Sequence, residues 1–77
     1  MENGYFVKVI GEYFGIEFVE LVGLRRERTY CSIGGKARKM KKIHGWKTQK
    51  GAEKYIEAEK LMDGLMERNR EYEIVHS

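Results

Sequence analysis

The 77-residue sequence has no proline, one cysteine, one tryptophan and one aspartate. A lone thiol, Cys31, forms no internal disulfide and suits a reducing cytosol. The two histidines, His44 and His76, stand far apart without ligand spacing, so neither a structural zinc nor any other cofactor is expected. The one aspartate, Asp63, does not supply the carboxylate cluster that metal-assisted phosphodiester chemistry requires. No glycine-rich phosphate loop occurs. A thiol nucleophile would need a base and a positive, accessible site, and no case can be made for one. No catalytic residue is therefore assigned, and a non-enzymatic protein is expected. No apolar run approaches the roughly 20 residues that span a membrane, and no signal peptide is read ahead of the first strand.

What remains is a short chain with uneven charge. Residues 1–77 read as one small domain without linkers or repeats. A chain of this length buries only about 60% of its unfolded surface. With no disulfide or metal to help, its stability is small. The net charge is +3. Residues 25–50 hold ten Lys or Arg against one Glu, a net +9, whereas 1–24 and 51–77 each carry a net −3. Within this block, "GGKARKMKKIHGWKTQK" (34–50) has seven Lys or Arg and no acidic residue. Repulsion inside such a block costs stability, which points to a use for it.

The pattern of elements is clear. "YFVKVIGEYF" (5–14) is rich in β-branched and aromatic residues and reads as a strand to about Tyr13, with Tyr5, Val7 and Val9 on one face. A turn at Gly15 leads to a second strand, 16–22. After a charged connection at 24–28, "TYCSI" (29–33) is a third strand. Gly34-Gly35 is a two-residue hairpin turn and 36–43 the returning strand. Thr48 is a good N-cap for an amphipathic helix over 49–69, which Asn69 would end. A last strand covers 71–77. The order β-β-β-β-α-β predicts an α+β domain: an antiparallel sheet of four to five short strands with one helix packed on one face.

Pairing outward from Gly34-Gly35 sets Tyr30 against Lys39 and Arg28 against Lys41. One hairpin face then shows Arg28, Tyr30, Ser32, Lys39 and Lys41. The other shows Thr29, Cys31, Ile33 and Met40, suited to packing under the helix, with Lys36 and Arg38 near the tip. A ribbon bearing Lys, Arg and Tyr can enter a major groove or follow a phosphate backbone. Tyr30 or Trp46 can stack on an exposed base. The opposing reading is that antiparallel sheets often leave one face wet, and wet faces carry lysine. Acidic residues would then be mixed in, and here they are missing, which favours binding. Arg28, Lys39 and Lys41 are the expected phosphate contacts, assisted by Arg25, Arg26, Arg38 and Lys42, with Tyr30 making closer contacts.

Other residues have plainer expectations. Trp46 reads as an aromatic anchor at the helix start, Cys31 as a small buried residue, and Met40, Met62 and Met66 as core filling. The helix's apolar arc is wider than one small sheet covers, which suggests a homodimer through Leu61 and Leu65.

The segment "GKARKMKKIHGWKTQKGAEKYIEAEKL" (35–61) resembles the strand-then-helix part of AP2-like DNA-binding domains, including the arm-binding domains of phage-type integrases. The matching residues are Trp46, Thr48, Ala52, Glu53 and Tyr55. The resemblance implies that the exposed sheet face, with Arg28, Tyr30, Lys39 and Lys41, reads DNA before RNA. The outline is also similar to small proteins of phages and mobile elements, some of which inhibit host defence systems, anti-CRISPR proteins among them. That likeness implies an alternative: an accessory protein in the cytoplasm of a bacterial or archaeal host that binds and blocks a nucleic-acid-handling complex.

Overall fold

The computed structural model describes residues 4–24, 28–39 and 44–76. Its elements are β1 (Tyr5–Tyr13), β2 (Ile16–Val22), β3 (Arg28–Ile33), β4 (Lys36–Lys39), α1 (Gln49–Leu65) and β5 (Arg70–His76). The strands form one antiparallel sheet in the order β4-β3-β2-β1-β5. The helix packs on one face, so the expected α+β class and element order describe the fold. Among the described residues no helix is long and apolar enough to cross a membrane.

Two hairpins are closed by two-residue turns. Both central residues take positive φ: 51° and 79° at Phe14 and Gly15, 58° and 82° at Gly34 and Gly35. This handedness matches the twist of the paired strands. Glycine adopts it freely, whereas Phe14 is strained there and is also 88% exposed.

The helix begins as expected. Thr48 is extended, and its Oγ1 accepts a hydrogen bond from the Gly51 N–H at 3.3 Å. It ends at Leu65, four residues before Asn69. There Glu67 takes φ 53°, and the Arg68 N–H reaches back to the Asp63 carbonyl at 2.8 Å. This closure satisfies a helix-end carbonyl and turns Arg68 and Arg70 back towards the helix.

Alternation along β1 places Tyr5, Val7 and Val9 under the helix. Val7 lies between Val22 and Ile74, and Val9 between Glu20 and Tyr72. Val7, Val9, Val22 and Ala52 form the buried centre, with Trp46, Tyr55, Ile56, Tyr72 and Ile74 around it. Because β5 pairs with β1, the helix between them rests over β1 and β5. That corrects the expectation that Cys31 and Ile33 pack beneath it. Cys31 is only half-buried and Ile33 is 56% exposed. Met62 and Met66 are exposed as well, not core filling, and Met40 lies outside the described residues.

Residues 44–46 continue the sheet where β2 ends. Tyr5 and Trp46 exchange both backbone hydrogen bonds at 2.8 Å, and the Leu24 N–H donates to the His44 carbonyl. A Cβ on Gly45 would stand 2.8 Å from the Tyr5 carbonyl oxygen and 2.9 Å from the Phe6 ring, so only glycine permits this approach. The Trp46 ring then lies 5.2 Å from that of Tyr55, anchoring the helix start as expected.

Candidate nucleic-acid interface

The β3–β4 hairpin has the register read from its turn: Ile33 opposite Lys36, Ser32 opposite Ala37, Cys31 opposite Arg38 and Tyr30 opposite Lys39. Neighbouring pairs extend these into rows across the sheet. On the face away from the helix, one row runs Lys39, Tyr30, Leu21, Lys8, Glu73, and the next Ala37, Ser32, Val19, Ile10, Glu71. This face carries Val19, Leu21 and Ile10 with Lys8 among them in the middle and is acidic at its β5 edge, with Glu12 opposite Glu17 near the β1–β2 turn. On the helix side, the row through Arg38 runs Cys31, Glu20, Val9.

The pairing divides the basic residues of β4 as the turn predicts. Consecutive basic residues on a strand alternate between faces. Arg38 and Lys36 share the helix side with Cys31 and Ile33, whereas Lys39 has the opposite register position, beside Tyr30. The result is a basic edge. β4 is the terminal strand of the sheet, and Lys36 and Arg38 are exposed along it. Among the described residues neither makes a side-chain hydrogen bond or ion pair.

At the other end of β3 the ladder shifts between Leu21 and Val22, so that Val22 pairs with Arg28 and not with Thr29. Tyr30 is half-buried between its neighbours. Arg25, Arg26, Lys41 and Lys42 lie outside the described residues.

No protein-family model, no curated protein and no solved structure matches this chain.

The sequence reading missed a charged cluster at the opposite edge. Asp63 is buried at the end of α1. It accepts hydrogen bonds from Arg70 Nε at 2.9 Å and from the Tyr72 hydroxyl, and it pairs with Arg68 Nη2 at 3.1 Å. Arg70 also binds Glu59 Oε2 at 2.7 Å. Burial alone would push the Asp63 carboxyl up. The Arg70 and Tyr72 hydrogen bonds, with the charges of Arg70 and Arg68, outweigh it and hold the group below the ordinary carboxylate value. Burial, then the bond to Asp63, pushes the Tyr72 hydroxyl up. Two carboxylates here meet two guanidiniums, so the cluster consumes its own charge and ties the helix end to β5. One signal pointed to it: Glu59 and Asp63 fall on the same helical stripe as buried Ala52 and half-buried Ile56.

Proposed function

We propose that this protein is a non-enzymatic nucleic-acid-binding module whose contact surface is the basic edge built on β3 and β4. The observation that carries the reading is the contrast between the two ends of the sheet. Arg68 and Arg70 are matched by Asp63 and Glu59, whereas Lys36 and Arg38 project from a terminal strand with no acidic partner among the described residues. A strand edge presenting unpaired cations follows a phosphate backbone without reading bases. Lys39 and Tyr30 pair across the hairpin, and in the sequence the charged segments 25–28 and 40–43 flank them. The sequence resemblance to sheet-based DNA-binding domains supports double-stranded DNA as the first ligand to try.

The test is binding of the purified protein to labelled double- and single-stranded DNA and to RNA across a salt series. A linear fall of log affinity with log salt is expected. Reversing charge with Lys36→Glu plus Arg38→Glu should weaken binding to every sequence alike. Absence of binding at low salt overturns the reading.

A further inference from the structure

The helix does not cover its side of the sheet throughout. It packs on β1 and β5. Past it, towards the turn ends of β2 and β3, Tyr13, Ile16, Phe18, Glu20 and Ile33 line an open groove of about 220 Å³. Sites for drug-sized ligands measure roughly 300–1,000 Å³, so this one takes a single ring system and little more.

The groove is aromatic. A Cβ on Gly11 would stand 2.6 Å from Phe18 Cζ, so the Phe18 ring reaches across Gly11 on the neighbouring strand and does not stand upright from the sheet. Tyr13 is 68% exposed, and the Phe14 ring meets it edge-on at 4.5 Å. Phe14 is an exposed apolar ring on a left-handed backbone that costs energy. Neither burial nor backbone preference accounts for it, and strain of this kind collects at functional sites.

The groove also has a charged rim. The register sets Lys36 beside Ile33 and Arg38 beside Cys31, on the helix side, and both cations are exposed. Glu20 lies two strands inward from Arg38 in the same row and is the one carboxylate among the lining residues. A carboxylate accepts several hydrogen bonds at once. The order is therefore cations on the outer strand, then aromatic and aliphatic side chains, then an acceptor two strand spacings, about 10 Å, inward. A nucleotide carries the matching groups: an anionic phosphate, a flat ring with two π faces, and N–H donors on the ring's edge. A duplex matches only the rim, because its bases are stacked inside.

We propose that single-stranded nucleic acid is the preferred ligand, with phosphates on Lys36 and Arg38 and one base seated in the groove against Tyr13 and Phe18. The inference rests on the nucleic-acid reading of the β4 edge and makes it more specific. It departs from the duplex that the sequence resemblance suggests. The phosphate contacts serve duplex and single strand alike, whereas only a single strand turns a base out at no cost in pairing.

Fluorescence anisotropy with four labelled probes of equal length provides the test: single-stranded DNA, single-stranded RNA, duplex DNA and an abasic single strand. The abasic strand has the charge of the natural one, so the difference between them reports the seated base alone. At least one natural single strand is expected to bind about 5-fold or more tighter than the abasic one. Tyr13→Ala should remove that difference and leave abasic and duplex binding unchanged. Phe14→Gly should weaken single-strand binding while raising the melting temperature, an outcome that unfolding does not produce. An abasic strand bound as tightly as both natural ones overturns the proposal and leaves the β4 edge standing as a phosphate site. So does Tyr13→Ala binding single strands as the wild type does. No binding of any probe at low salt overturns the reading of the β4 edge itself, and this proposal with it.

Discussion

The Tyr72 hydroxyl on β5 donates to the buried carboxylate of Asp63 at the end of α1. Three donor side chains converge on that one carboxylate. Asp63→Asn should therefore cost about 3 kcal/mol, because Arg68 and Arg70 lose the buried carboxylate they share and Arg70 is left with Glu59 alone. Tyr72→Phe should cost about 1 kcal/mol, the loss of one hydrogen bond. Urea denaturation of both variants checks the order.

The same carboxylate sets the acid limit of stability. Its folded pKa lies below the unfolded value of about 3.9. Its contribution is thus fully present above that value and is lost as pH falls through the depressed folded one. Wild-type stability should drop below about pH 4, and Asp63→Asn should show a flatter acid limb. Denaturation midpoints taken from neutral to acid pH measure this. A variant as acid-sensitive as the wild type would locate the titration elsewhere.

Glu67 occupies a left-handed position that favours glycine. Glu67→Gly should stabilise the fold by about 0.5–1 kcal/mol, because the side chain is exposed and only the backbone strain changes. Thermal unfolding reads the gain.

Gly45 presents the opposite case. Gly45→Ala forces a Cβ against the Tyr5 carbonyl oxygen and should break the Tyr5–Trp46 bridge. A loss above about 1 kcal/mol is expected, together with a change in tryptophan fluorescence as Trp46 shifts against Tyr55.

Salt dependence separates the two edges of the sheet. Lys36→Glu plus Arg38→Glu should make the slope of log affinity against log salt shallower by about 2, one phosphate per residue. Glu73→Gln, at the far edge, should leave it unchanged.

The local features of the fold were legible in the sequence. The Gly34-Gly35 turn determined the β3–β4 register, Thr48 marked the helix start, and alternation identified the buried face of β1. Each depends on residues a few positions apart. The position of the helix was not legible, because it follows from β5 pairing with β1, some 60 residues away. For the same reason Cys31 and Ile33 were wrongly placed under it. The pairing of Glu59 and Asp63 with Arg70 and Tyr72 was not legible, because it depends on how the chain turns between α1 and β5. The basic block was visible as composition. Its division between the two sides of β4 was legible too, from pairing outward from Gly34-Gly35.

The position of β1 also governs the order of assembly. Its flanking strands are β2, which follows it directly, and β5, the last strand in sequence. During synthesis β1 and β2 can form a hairpin early, but the other side of β1 stays an open edge until Arg70–His76 emerges. Closing it joins Tyr5 to His76 across almost the whole chain, a long-range step that slows folding. Until then, Val7 and Val9 lack their cover from β5. A nascent or truncated chain is in that interval most prone to pair its strand edges with a neighbour's.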